Sequence, residues 1–167
     1  MAPSILALLR GRSGLARRLI VEITETAALS DIAASARFVD MLRHAGCRVA
    51  LDDFGAGHTS PRQLQVLAID TVKVDGSFIR NLADRREKRA RLRDMLSLIN
   101  AFGCATVAEG VENAKDAAAA RAEGFGYLQG YHVGPPTIER AWLRAAPTGT
   151  REVDEGWLRA RDADSGG

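Results

Sequence analysis

The sequence predicts an α/β fold: about five parallel strands, each followed by a helix, forming part of a (β/α)8-like, TIM-type barrel. Three observations carry this expectation. Short apolar runs alternate with helix-like patterns across short connections, which argues for a parallel sheet covered by helices. The runs are rich in Val, Ile, Leu and Ala and do not alternate with polar residues, as strands buried on both faces do not. Each run ends in a polar residue on its C-terminal side, the side on which a (β/α) barrel gathers its chemistry. No Gly-x-Gly-x-x-Gly follows the first strand, so the fingerprint of a dinucleotide-binding sheet is lacking.

The elements follow in order. Residues 4–17 read as an amphipathic helix that feeds a strand in "RLIVEIT" (18–24). Ser30 is placed to cap a helix that aligns Phe38, Val39, Leu42 and Ala45, and Gly46 closes it. "RVALDD" (48–53) is the second strand. Ser60 as cap, Pro61 in the first turn and Gln63 completing a capping box start the next helix. "DTVKVD" (70–75) is the third strand, and residues 84–102 form a helix with Leu92, Met95, Leu96 and Ile99 aligned, stopped by Gly103. "CATVAEG" (104–110) is the fourth strand. Asn113 caps a helix that reaches Glu123 and stops at Gly124, and "YLQGY" (127–131) is the fifth strand. Thr137 opens a short helix through Trp142, and the apolar pattern fades after Pro147. The expected organisation is one domain over residues 1–145 and a disordered tail over 146–167.

Composition narrows the function classes. Of 167 residues, 46% are hydrophobic, enough for a core, and 26% are charged. No apolar run is long enough for a transmembrane helix, so no membrane segment is expected. A net charge of +2 with interspersed signs gives no case for binding a nucleic acid polymer. Cys47 and Cys104 each lead into an apolar run and read as reduced, buried thiols of a cytoplasmic protein. The arginines at 10, 12, 17 and 18 give the N-terminus a superficial likeness to a transit peptide, but the segment runs without a cleavage site into core-like sequence.

The polar residues at the strand ends are Glu22 and Glu25, Asp52 and Asp53, Lys73, Glu109 and Gln129. Taken singly, each has a bland reading as a helix cap, a snorkelling lysine or a turn residue. Five strands aiming such groups at one rim argue for a shared site. A carboxylate cluster without His or Cys ligands selects hard cations, Mg²⁺ or Mn²⁺. Adjacent Asp52 and Asp53 suit two neighbouring ions, one carboxylate bridging them and the other completing the second site. Two such ions suit phosphodiester hydrolysis. Lys73 is placed to hold the attacking water or to offset charge on phosphorus. His44 lies on a helix and His58 and His132 in loops, away from this set.

The stretches "VEITET", "VALDDFGAGHTS", "VKVDGSF", "TVAEGVEN" and "YLQGYHVGPP" resemble, in order and spacing, the second half of the EAL-domain cyclic di-GMP phosphodiesterases. The resemblance spans about residues 15–140. It implies a (β/α)8-like barrel that hydrolyses cyclic di-GMP to linear pGpG with two Mg²⁺ or Mn²⁺ ions. By motif, Glu22 resembles a ligand of the first metal, Asp52 the bridging ligand, and Asp53 and Glu109 ligands of the second. Lys73 resembles the residue that holds the hydrolytic water and Gln129 a nearby support, so Lys73, Glu109 and Gln129 form the catalytic set. Glu25 resembles the acid that steadies the loop after Asp-Asp-Phe-Gly, and Glu112 matches a further motif position.

The departures shape the expectation of activity. The Glu of the family's Glu-Ala-Leu signature and a later Asn, both first-metal ligands, match nothing in this chain. "LALLR" (6–10) mimics the text after that signature, but Leu6 stands where the Glu belongs, only 16 residues before Glu22. Pro61 and His58 replace a large apolar residue and an aromatic around the Asp-Asp-Phe-Gly loop. The expectation is therefore a truncated domain with an incomplete first metal site and impaired hydrolysis. Exposed sheet edges would favour a homodimer or an accompanying sensory or cyclase domain. The alternative is a catalytically inactive nucleotide-sensing or protein-interaction module of the same ancestry, and a third reading is a remnant without function.

Overall fold

The computed structural model describes residues 2–56 and 61–136. Five parallel strands lie in the order in which the chain makes them: β1 (Ile20–Thr24), β2 (Arg48–Phe54), β3 (Thr71–Val74), β4 (Ala105–Ala108) and β5 (Tyr127–Leu128). An unreversed order is informative. Parallel crossovers are right-handed, so successive connections that advance in one direction put every helix on the same face. The other face is then covered only if the sheet curls, as in a barrel. The sheet is the arc of a TIM-like barrel, as the sequence predicts.

The helix-facing side of the sheet is the core. Val49, Leu51, Val72, Val74 and Ala108 are fully buried there, against Val39 and Leu42 of α4 (Ile32–His44) and Leu92, Leu96 and Ile99 of α7 (Arg86–Ala101). On the inner side, Ile20 and Tyr127 of the two outermost strands are 44% and 42% exposed, whereas Ala50, Thr71 and Lys73 on the central strands are buried.

Several elements differ from the sequence reading, each for a local reason. The predicted helix over 4–17 is two helices, α1 (Ala2–Leu9) and α2 (Ser13–Ala16), divided where Gly11 takes φ +71°. Ser30 does not cap the following helix. It ends a short helix, α3 (Glu25–Ser30), and its hydroxyl donates to Ala27 O at 2.8 Å. Thr24 caps α3 by accepting from Ala27 N, and Asp31 caps α4 by accepting from Ala34 N at 2.9 Å. Two caps in tandem let the chain turn twice within one connection. The third strand ends at Val74 because Asp75 leaves the sheet to cap α6 (Gly76–Ile79), its carboxylate accepting from Ser77 N at 2.8 Å.

Helix α7 begins at Arg86, not at residue 84. Asn113 caps α8 (Ala114–Glu123), which ends at Gly124 with φ +100°, as expected. The fifth strand covers only Tyr127 and Leu128 and stops short of the predicted 131. There the chain turns at Gly130, and Gln129 pairs through its backbone with Ala108 and Val111. The expected Ser60 cap, the Thr137 helix and the tail after 146 lie outside the described residues; α5 (Pro61–Leu67) begins at Pro61.

Candidate active site

The site forms at the C-terminal ends of β1–β4, where the parallel register aligns one face of four strands. Thr24 pairs with Asp52, Ala50 with Glu22 and Thr71, and Lys73 with Val107, so Glu22, Asp52, Lys73 and Glu109 fall on the inner side. Beyond the last formal pairs the ladder continues, with Glu109 N donating to Val74 O at 3.1 Å.

Alternation alone would send Asp53 to the face opposite Asp52. It does not, because Asp53 adopts φ +57° and the β2–β3 register slips between Leu51 and Phe54. A bulge of this kind re-aims a side chain at the end of a strand. A left-handed conformation costs a non-glycine residue about 1–2 kcal/mol, and Asp tolerates it better than most. The outcome is that carboxylate oxygens of Asp52, Asp53 and Glu109 all lie within 4.8 Å of one another.

Lys73 is the cation among these acids. Its Nζ lies 2.8 Å from Asp52, 2.9 Å from Glu109 and 3.1 Å from Glu22, on a side chain only 8% exposed. Burial by itself lowers the pKa of this ammonium, but Asp52, Glu109 and Glu22 together outweigh burial and the net shift is upward, so Lys73 is charged. Burial raises the Glu109 carboxyl above its ordinary range; Lys73 opposes the rise and the Asp52 and Asp53 charges add to it. Asp52 Oδ1 is buried, with the Lys73 ammonium 2.8 Å away.

Four carboxylates around a single ammonium leave an excess of negative charge at the rim. An all-oxygen donor set of three clustered carboxylates fits a hard divalent cation held by Asp52, Asp53 and Glu109. Glu22 stands outside that group of three; it is about half exposed and bonded to Lys73.

Glu25 is 2% exposed, and its carboxylate accepts from Gly55 N at 2.9 Å, tying the start of α3 to the loop that follows the aspartates. Gly55 is held from the other side by the Phe78 ring: with φ +95°, a Cβ there would lie 2.6 Å from the ring. Nothing in the strand-end pattern points to Phe78; its signal in the sequence is an aromatic four residues past a strand-end Val in "VDGSF". Gln129 and Glu112 are both exposed, and the described hydrogen bonds of Gln129 are backbone ones. The structure thus brings together Glu22, Asp52, Asp53, Lys73 and Glu109, with Glu25 behind them, and leaves the Gln129 and Glu112 side chains outside this set of contacts.

The EAL domain family matches residues 1–136 of this chain. The chain belongs to the EAL-domain family. Cyclic di-GMP phosphodiesterase PdeB of Shewanella oneidensis is 38% identical over 115 residues, which is 69% of this chain and 13% of that protein. Cyclic di-GMP phosphodiesterase PdeF of Escherichia coli K12 is 36% identical over 119 residues, 71% of this chain and 16% of that protein. This EAL chain therefore spans less than a fifth of the length of these two curated relatives. Among solved structures, a PaMucR phosphodiesterase in complex with c-di-GMP superposes with a TM-score of 0.68 at 32% identity, over 72% of this chain and 49% of that one. The EAL domain of Mycobacterium smegmatis DcpA does so with a TM-score of 0.67 at 30% identity, over 77% of this chain and 60% of that one. Klebsiella pneumoniae BlrP1, solved with manganese and c-di-GMP, gives a TM-score of 0.65 at 28% identity, covering 70% of this chain and 30% of that one.

Proposed function

We propose that this EAL domain acts on cyclic di-GMP as a divalent-metal-dependent phosphodiesterase of the two-metal type, impaired as the 167-residue chain alone. The observation that carries the reading is the convergence of Asp52, Asp53 and Glu109 within 4.8 Å beside a buried, charged Lys73. In the reaction, a water oxygen bonds to phosphorus and the ribose 3′ oxygen leaves, opening the ring to linear pGpG. Asp52, Asp53 and Glu109 would hold Mg²⁺ or Mn²⁺, which when bound withdraws charge from the phosphodiester oxygens and favours ionisation of water. Lys73 donates to the incoming water or to a phosphoryl oxygen, and its own charge is kept by the acids around it. Glu25 restrains the loop carrying Asp53 through Gly55 N. Glu22 serves the first metal; its separation from the cluster of three, together with the unmatched signature Glu and Asn, supports the impairment. Gln129 and Glu112 keep the supporting roles their motif positions imply.

The cytoplasm is the compartment we assign. It suits the two free, buried cysteines, and no described helix is long and apolar enough to cross a membrane. A second copy or an accompanying sensory or cyclase domain is the partner that the edges of β1 and β5, unpaired among the described residues, would accept. The second functional reading, a nucleotide-sensing module that binds without cleaving, is favoured by the position of Lys73, whose ammonium is already engaged by three carboxylates.

The test is to incubate the chain with cyclic di-GMP and Mn²⁺ and to separate the products by chromatography, with and without the first half of a full-length relative supplied as a separate chain. Trace pGpG from the chain alone, greater turnover with the added half and loss of both in Lys73→Ala are expected. Robust turnover by the chain alone refutes the impairment. Binding without cleavage under both conditions refutes the hydrolase and leaves the sensing module.

A further inference from the structure

Helix α7 carries its cations on two sides, and the ion pairs among the described residues neutralise one of them. Arg89 and Arg93 bind the buried Glu123 carboxylate at 2.6 and 2.8 Å, tying α7 to α8. The remaining cations of α7, Arg86, Lys88 and Arg91, and Arg85 just before it, line a cavity of about 580 Å³ together with Glu87 and with Phe78 as an apolar wall. Four cationic side chains therefore face one carboxylate. Among the described residues, no ion pair or hydrogen bond engages the side chains of Arg85, Arg86 or Arg91. Lys88 is held in place by a backbone carbonyl, donating to Arg80 O at 2.5 Å, and no ion pair among the described residues engages it. Burial lowers the Lys88 ammonium from its usual range, and Arg85 and Arg80 push it further down against the pull of Asp116.

Gathering like charges around a concavity is unfavourable unless something anionic offsets them. Guanidinium groups match phosphate oxygens in shape as well as charge, through paired N–H donors in a planar fork. The volume falls within the range of small-molecule sites, about 300–1,000 Å³. An isolated phosphate would satisfy only part of the lining, whereas linked phosphates can reach several of the cations at once.

We infer that the cavity between Phe78 and the first two turns of α7 binds a polyphosphate group, two or more linked phosphates, carried by a nucleotide or present as a free chain. The site is separate from the carboxylate cluster, which repels such an anion in the absence of metal, and the inference does not depend on the chain being a phosphodiesterase.

The experiment titrates the full chain with tripolyphosphate and with ATP by calorimetry, in EDTA and at constant ionic strength set with KCl. Both probes are expected to bind in the sub-millimolar range. The doubly substituted Arg86→Gln, Arg91→Gln protein should bind at least tenfold more weakly, and Lys115→Gln, an exposed cation on α8, should bind as wild type does. Both altered positions are exposed, and circular dichroism checks that the fold is kept. ATP binding severalfold more tightly than tripolyphosphate supports a nucleotide source; equal affinity supports a bare phosphate chain. The inference is overturned if neither probe binds at millimolar concentration, if the double substitution leaves affinity unchanged, or if Lys115→Gln weakens it equally.

Discussion

Asp53 is the residue whose placement departs most from what its neighbours in sequence dictate, and it offers the sharpest test. Two terms make it unfavourable in the metal-free protein. Its left-handed backbone costs about 1–2 kcal/mol, of which glycine would recover a part, since glycine itself loses about 0.5–1 kcal/mol more entropy on folding. Its carboxylate also lies within 4.8 Å of those of Asp52 and Glu109. Because Asp53 is exposed, a water-like dielectric applies and the repulsion is about 1 kcal/mol at that distance, reduced by Lys73. Asp53→Asn, which removes only the charge, should then stabilise the protein in EDTA by about 1 kcal/mol or less, and Asp53→Gly by about 1–2 kcal/mol. For a chain of this size that corresponds to a rise in Tm of about 3–6 °C for the glycine variant. With Mn²⁺ the order should reverse. Saturation at one hundred times Kd adds about 2.7 kcal/mol to wild type, and the variants should forfeit most of it. Thermal melts followed by circular dichroism, in EDTA and across a Mn²⁺ series, measure both effects. If Asp53→Gly melts below wild type in EDTA, the strain argument fails; if it keeps the wild-type response to Mn²⁺, the metal assignment fails.

Other outcomes follow from single contacts. Glu25→Ala leaves Gly55 N without its charged acceptor and should cost about 2–3 kcal/mol in urea denaturation, with faster hydrogen exchange at the Gly55 amide; unchanged exchange would mean that the bond does not restrain the loop. Gly130→Ala should fail to give a folded protein, because its Cβ would lie 2.3 Å from both Val111 N and O, so recovery of a native melting transition would contradict the packing. Burial raises the Glu123 carboxyl, but Arg89 and Arg93 outweigh it, and the net pKa is lowered. A depressed folded value means that the stabilisation is present above the unfolded pKa and is lost as pH falls through the folded one. Glu123→Gln should therefore be less stable than wild type at pH 7, and the gap should close in acid below about pH 4, as read from denaturation midpoints across pH.

What the sequence determined by itself was the alternation of elements and the chemistry of the strand ends, because both are local. Burial of both faces forces a run such as Val49 to Leu51 to be apolar, and the chain must switch to polar residues where the strand meets the rim. Asn113 and Gly124 bracket α8 for equally local reasons: a side-chain oxygen for an orphan amide at one end and a left-handed residue at the other. Short elements were not legible in the same way. α3 and α6 are each a turn or so long, too short for a period to show, and their caps, Thr24 and Asp75, resemble ordinary strand-end residues. The site was legible as a list and not as an arrangement. Only the register of four strands puts Glu22, Asp52, Lys73 and Glu109 on one side, and only the slip between β2 and β3 brings Asp53 to join them, since alternation along β2 would have sent it away. The pairing of Arg89 and Arg93 with Glu123, and the absence of any comparable partner for Arg86 and Arg91 among the described residues, likewise depended on which helix came to lie beside α7. Local sequence decides which groups a segment carries; the packing of distant segments decides which charges meet, and so which are left to meet a ligand.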